Sequence, residues 1–169
     1  EWIRATNRGY LNVTKEEVIR AAEEVLRLAD GSDFQIAHNT DGFVAQRATM
    51  HYLVIAVAFG ADSWVFRATA DPKGFIHAQV SVSSQSQAAS ISQPTLAGGA
   101  PTMGPAAAGT VPFAALYDLF WERVDYMLGK RNDWPLCPAR DIGTSKGTAQ
   151  VCDPMTTQDV RPTRRIVTQ

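Results

Sequence analysis

From Lys15 to Ala29 the apolar residues Val18, Ala21, Ala22, Val25, Leu28 and Ala29 recur at intervals of three and four, and Lys15, Glu16, Arg20, Glu23, Glu24 and Arg27 fill the positions between them. That rhythm predicts a helix with one buried face. Thr14 and Glu17 stand at the spacing of a capping box, and Asp30-Gly31 follows as a stop, so both ends are specified locally. Asn12-Val13-Thr14 also matches a glycosylation sequon, but the cap already accounts for Thr14. The same periodicity returns near the other end of the chain. Phe113, Leu116, Phe120, Val124 and Met127 form an inward stripe, widened by Tyr117, Trp121 and Leu128, in a helix predicted over Pro112 to Leu128. Thr110 is its expected cap, Pro112 fits the first turn, and Gly129 is a C-terminal stop. An aromatic stripe at this spacing reads as core rather than as a cofactor groove.

Between the helices the period falls to two. Four strands are expected: Phe34 to His38, Phe43 to Gln46 running on towards Tyr52 to Phe59, Ser63 to Thr69, and Phe75 to Ser83. Asp71-Pro72-Lys73-Gly74 carries turn residues that fix a register in which Ala68 faces Ala78, Phe66 faces Val80 and Trp64 faces Val82 on one side. On the other side Thr69 faces His77, Arg67 faces Gln79 and Val65 faces Ser81. A loop over Gly60 to Ser63 would pair Phe59 with Trp64, Val57 with Phe66 and Ile55 with Ala68. The predicted fold is therefore α+β: a two-layer sandwich of an antiparallel four-stranded meander, with two amphipathic helices in the order α-β-β-β-β-α. Both helices are expected on the face bearing Trp64, Phe66, Ile76, Ala78, Val80, Ile55 and Val57. The opposite face, with Val54, Ala56, Ala58 and Val65, is too apolar to stand bare in water.

No formal charge occurs between Lys73 and Asp118, and residues 83–110 are rich in Ser, Ala, Gly, Gln and Pro. The bland reading of this segment is a flexible linker. A structureless loop of this length inside a compact domain is uncommon, however, which favours a cover over the second sheet face or an interaction loop. Another subunit is the alternative cover, in which case the chain is a homo-oligomer. The 169 residues suit one domain, 1–169, with residues 130–169 as an irregular tail that adds an edge strand at Ile166 to Thr168.

Composition narrows the partners. A net charge of −1 provides no field to hold a polyanion, so nucleic acid is not an expected partner. The longest uncharged apolar run, Tyr52 to Ala61, is ten residues, too short for a transmembrane span. The chain opens on Glu1, which leaves room for an export signal or a lipid anchor ahead of it. Cys137 and Cys152 fall in a polar tail where free thiols would be exposed, and a disulfide between them would contribute about 3 kcal/mol by restricting the unfolded tail. A metal site or a catalytic thiol is less well supported, because the pair lacks Cys-x-x-Cys spacing and no His lies near in sequence.

The stretch Ala115 to Cys137, ALYDLFWERVDYMLGKRNDWPLC, resembles the aromatic helix and following Trp…Cys segment of small exported or lipoprotein-type proteins of Gram-negative bacteria. Those proteins have no assigned activity, so the resemblance implies export and a disulfide and transfers no functional residue. It points to a periplasmic, secreted or envelope-associated location.

Catalytic motifs are not evident. There is no Gly-x-Ser-x-Gly elbow, phosphate loop, dinucleotide fingerprint or zinc-type His spacing, and no cofactor or metal is expected. The best polar cluster is Arg67, Thr69, His77, Gln79 and Ser81 on one sheet face. A solvated face explains it, as does a ligand site in which Arg67 holds an anion and His77, the one catalytic candidate, moves a proton. His38 reads as a turn-flanking residue and His51 as structural or exposed, while Asp118, Glu122 and Asp125 read as the solvated side of the second helix. The leading expectation is a non-enzymatic exported module that binds a protein or another envelope component through the second sheet face and the long loop. The alternative is a small extracytoplasmic hydrolase with a His77/Arg67 site.

Overall fold

The computed structural model describes residues 2–29, 34–53, 56–90, 102–103, 107–137, 147–148, 150–152, 162 and 166. The chain order is α1 (Trp2–Ala5), β1 (Asn7–Tyr10), α2 (Lys15–Ala29), β2 (Gln35–Asn39), β3 (Gly42–Leu53), β4 (Ala56–Ala70), β5 (Ile76–Ser90), β6 (Thr102–Met103), β7 (Ala107–Thr110) and α3 (Ala114–Met127). The α+β class and the antiparallel meander stand as expected. The sheet is larger than the four strands predicted: among the described residues it has seven, with the path β1-β5-β4-β3-β2 and the short β6 and β7 also paired to β5.

α2 has the predicted limits. Thr14 N–H donates to Glu17 Oε2 at 2.7 Å and Glu17 N–H donates to Thr14 Oγ1 at 3.2 Å, which completes the capping box. Its buried stripe includes Leu26 where the pattern put Leu28, which is only partly buried. α3 begins two residues later than predicted, with Phe113 as its cap in extended conformation and no side-chain cap bond. Thr110 pairs with Ser83 in β7 and cannot cap it. Phe113 is 51% exposed, outside the helix and off the inward stripe. The C-terminal stop is as read: Gly129 takes φ +70°, Gly129 N–H donates to Tyr126 O and Lys130 N–H to Asp125 O, a Schellman closure.

The Asp71 hairpin holds every predicted pair, from Ala68↔Ala78 to Trp64↔Val82 and from Thr69↔His77 to Val65↔Ser81. Gly74 adopts φ +78°, and Asp71 Oδ1 accepts the N–H groups of Lys73 and Phe75 at 2.8 and 2.9 Å. The predicted loop over Gly60 to Ser63 does not exist. β4 runs unbroken from Ala56 to Ala70, the chain reverses between Leu53 and Ala56, and Phe59 pairs with Met50 rather than Trp64. Trp64 pairs with Ala45 and Phe66 with Phe43. Val57 therefore pairs with Tyr52, not Phe66, while Val54 and Ile55 lie outside the described residues. Gly60 and Asp62 do not break the strand, because β4 is held between two long neighbours.

The predicted long loop is also partly strand. Residues 83–90 continue β5, and Ala107–Thr110 returns antiparallel along residues 83–86. Residues 91–101 lie outside the described residues. β1 and α1 have no hydrophobic rhythm and were not predicted. β1 is placed by the open edge of β5, where Gly9 sits opposite His77 with the Phe75 ring against it; a Cβ there would fall 2.2 Å from Phe75 Cζ. Gly42 is required for a similar reason, since a Cβ would lie 2.0 Å from the Phe66 carbonyl oxygen.

One sheet face carries the core. Phe43, Ala45, Trp64, Phe66, Ala68, Ile76, Ala78, Val80 and Val82 are buried beneath α2 and α3, with Phe120 and Trp121 packed on Phe66 at 6.3 and 6.0 Å between ring centroids. The Cys137–Cys152 disulfide is formed. Arg123, on α3 and 2% exposed, anchors this stapled segment: it donates to Pro135 O, Val151 O and Cys137 Sγ and lies 4.7 Å over the Trp134 ring. Ile166 N–H donates to Met127 O at 2.9 Å, and the predicted strand at Ile166 to Thr168 otherwise lies outside the described residues.

Candidate functional site

Period-two alternation sends the other side chains of β3, β4 and β5 to the outer face, and none of the described residues covers it. Gln46 and Ala48 on β3, Ala61, Arg67 and Thr69 on β4, and His77, Gln79, Ser81, Ser83 and Gln85 on β5 are all exposed. The expected cover by residues 83–110 is not seen among the described residues: β6 and β7 lie beside β5 as edge strands, in the plane of the sheet. A depression of about 690 Å³ is lined by Gln35, Gln46, Ala48, Ala61, Ser63, Ser83 and Gln85, with Arg47 and Asp62 also contributing to its wall.

The wall is chemically uniform. Amides and hydroxyls that both donate and accept alternate with alanines, and the charged pair beneath is neutralised internally. Arg47 and Asp62 are direct cross-strand partners, 4% and 5% exposed, with Arg47 Nη2 2.9 Å from Asp62 Oδ2. Arg47 also stands 5.0 Å from the centroid of the Phe34 ring and donates to Gln150 O at 3.5 Å. Such a buried pair holds its two strands in one register, because a slip would strand both charges. Sequence reasoning missed it. The signal was present in the alternation of Phe43, Ala45 and Arg47, which puts an arginine in line with the core.

The predicted cluster of Arg67, Thr69, His77, Gln79 and Ser81 shares one face as expected, and all five side chains are exposed. Two neighbours were not foreseen. Asp71 Oδ2 lies 4.0 Å from His77 Nε2, and the Phe75 ring meets His77 edge-on at 4.7 Å. The turn brings an acid to this face, whereas the strands' own Asp62 lies on the opposite face with Arg47. His38 is not simply a turn-flanking residue: its Nε2 is 2.7 Å from Glu23 Oε2 on α2. Burial pulls the Glu23 carboxyl up, but hydrogen bonds with His38 and Arg27 outweigh it and hold the group below the usual range. Asp125 pairs with Arg8, and Glu122 with Arg131 at 3.2 Å, so two of the three helix acids are engaged in ion pairs. The side chain of His51 lies outside the described residues.

Among the described residues no three His, Cys, Asp or Glu side chains gather as a metal site, and no helix is long and apolar enough to cross a membrane. The chain matches no family model, no curated protein and no solved structure. The class that the fold defines is an α+β protein whose helices cover one sheet face, the other being left open among the described residues.

Proposed function

We propose that the protein is a non-enzymatic exported binding module, and that the outer sheet face receives an uncharged polar segment of an envelope protein. One observation carries the reading: the concavity of about 690 Å³ is walled by Gln35, Gln46, Ser63, Ser83, Gln85 and two alanines, a surface able to hydrogen-bond a neutral partner and lacking an exposed charge to attract an ionic one. The Cys137–Cys152 disulfide supports an oxidising compartment. The test is capture of a partner from envelope extract by the wild type and by Ala61→Arg and Ser83→Arg, each of which puts a long cation on an exposed position of that wall. Capture that survives high salt and is lost in both variants supports the reading; capture unaffected by either variant overturns it. The export component is tested separately by alkylating thiols before and after reduction in protein from the native host.

The approach of Asp71 to His77, with Thr69 directly across from His77, favours a second reading as a small extracytoplasmic hydrolase with a His77/Arg67 site. Under it, His77→Ala abolishes turnover found in a hydrolase screen and leaves partner capture intact.

A further inference from the structure

β3 has two edges with different fates. Along one it pairs with β4 for its whole length; along the other β2 covers only residues 42–46. From Arg47 to Leu53 no described strand pairs with that outer edge. Ala68 N–H donates to Asp41 O at 2.7 Å, which sets the phase of the β3–β4 ladder: odd-numbered β3 residues turn their N–H and C=O towards β4. The even-numbered ones turn theirs outwards, so Ala48, Met50 and Tyr52 present three donors and three acceptors along the open edge.

Proteins usually guard such an edge with Lys, Pro or an inward-pointing charge. Residues 48–53, Ala-Thr-Met-His-Tyr-Leu, contain no Asp, Glu, Lys, Arg or Pro, and Arg47 is turned into the core with Asp62. The open stretch is centred on Met50. Met50 is 51% exposed, and its cross-strand neighbour on the same outer face, Phe59, is 42% exposed.

We propose that this edge pairs with the same edge of a second copy, antiparallel, about a two-fold axis at Met50. In that register Ala48 meets Tyr52 of the second copy, Met50 meets Met50, and Tyr52 meets Ala48, so all six outward backbone groups are satisfied. Self-pairing would bring a charge near the axis against its own image, and the uncharged sequence avoids this. The two Met50–Phe59 pairs become one apolar stripe across four strands. A seven-residue edge is small beside the roughly 1,600 Å² of a stable interface, so the dimer is weak and depends on concentration. This inference goes beyond the binding reading and does not rest on it.

The test is sedimentation of the intact, disulfide-bonded chain from about 1 to about 100 µM, where a weak interface passes from one chain to two. Met50→Lys should remain monomeric across that range with an unchanged unfolding midpoint, and an equal mixture of Met50→Lys and Met50→Glu should recover the dimer. Met50→Cys should form a covalent dimer on oxidation, because paired Cα atoms about 5.5 Å apart suit a disulfide, whereas Phe59→Cys, set one strand back from the axis on each side, should not. A wild type that stays monomeric throughout, its edge left to a strand of another protein, overturns the proposal. So does an association that Met50→Lys leaves unchanged. Ala61→Arg should lose partner capture and retain the dimer, so failure of either idea is read apart from the other.

Discussion

The same three strands, β3, β4 and β5, are two different materials along their length. In the half covered by helices, Phe43, Trp64, Phe66, Val80 and Val82 are buried against α2 and α3, and buried side chains continue up to Arg47 and Asp62. Beyond those residues the ladder is unbroken to Leu53, Ala56 and Ser90, yet on the same helix-side face Gly60 and Ser84 are only half-buried and Ser86 is exposed. Backbone pairing is alike in the two halves; side-chain burial is not. Because a hydrogen bond exchanges water for a protein partner at small net gain, the ladder alone stabilises the outer half weakly, and the aromatic half anchors both. The half that contributes least to stability is the half free to serve as an interface.

The sharpest way to break this comparison is to empty the anchored half. Trp64→Ala or Phe66→Ala should cost about 3–5 kcal/mol in urea unfolding, whereas Phe59→Ala should stay within about 0.5 kcal/mol. If the two halves lost equal stability, the division would be wrong. The boundary is tested by Asp62→Ala, which leaves Arg47 buried without that carboxylate and should cost about 3 kcal/mol or more; a joint Arg47→Met, Asp62→Leu exchange should recover most of the loss. Reduction of the Cys137–Cys152 bond, or Cys137→Ser with Cys152→Ser, should lower stability by about 3 kcal/mol and leave the sheet's far-ultraviolet signature in place.

The smallest effect is electrostatic and belongs to the anchored half alone. The Glu23 carboxyl is held below its unfolded value, so its contribution is complete above the unfolded pKa and is lost as pH falls through the folded one. Unfolding midpoints of the wild type and Glu23→Gln should therefore differ near neutrality and converge in acid. A gap that widened as pH fell would contradict the pairing of Glu23 with His38 and Arg27.

The sequence by itself determined what is written in short range. The capping box at Thr14 and Glu17, the left-handed Gly129, and the Asp71–Gly74 turn with the register it imposes were all legible, because each is fixed by a few neighbouring residues and the dihedral angles they allow. The five residues of the polar cluster followed from that register. The disulfide was legible as an argument about where thiols tolerate exposure. Only the tertiary structure decided the rest. β1 exists because β5 offers it an edge, β4 passes through Gly60 and Asp62 because two long neighbours hold it straight, and Arg123 is buried because the stapled tail surrounds it with acceptors. Asp71 reaches His77 through the curvature of a turn, and among the described residues β2 pairs with β3 only over residues 42–46, which leaves the outer edge from Arg47 to Leu53 without a described strand. Local dihedral preferences are written in local sequence; pairing between distant segments depends on which edges and faces remain open once the core has closed, and one chain's pattern does not rank those alternatives.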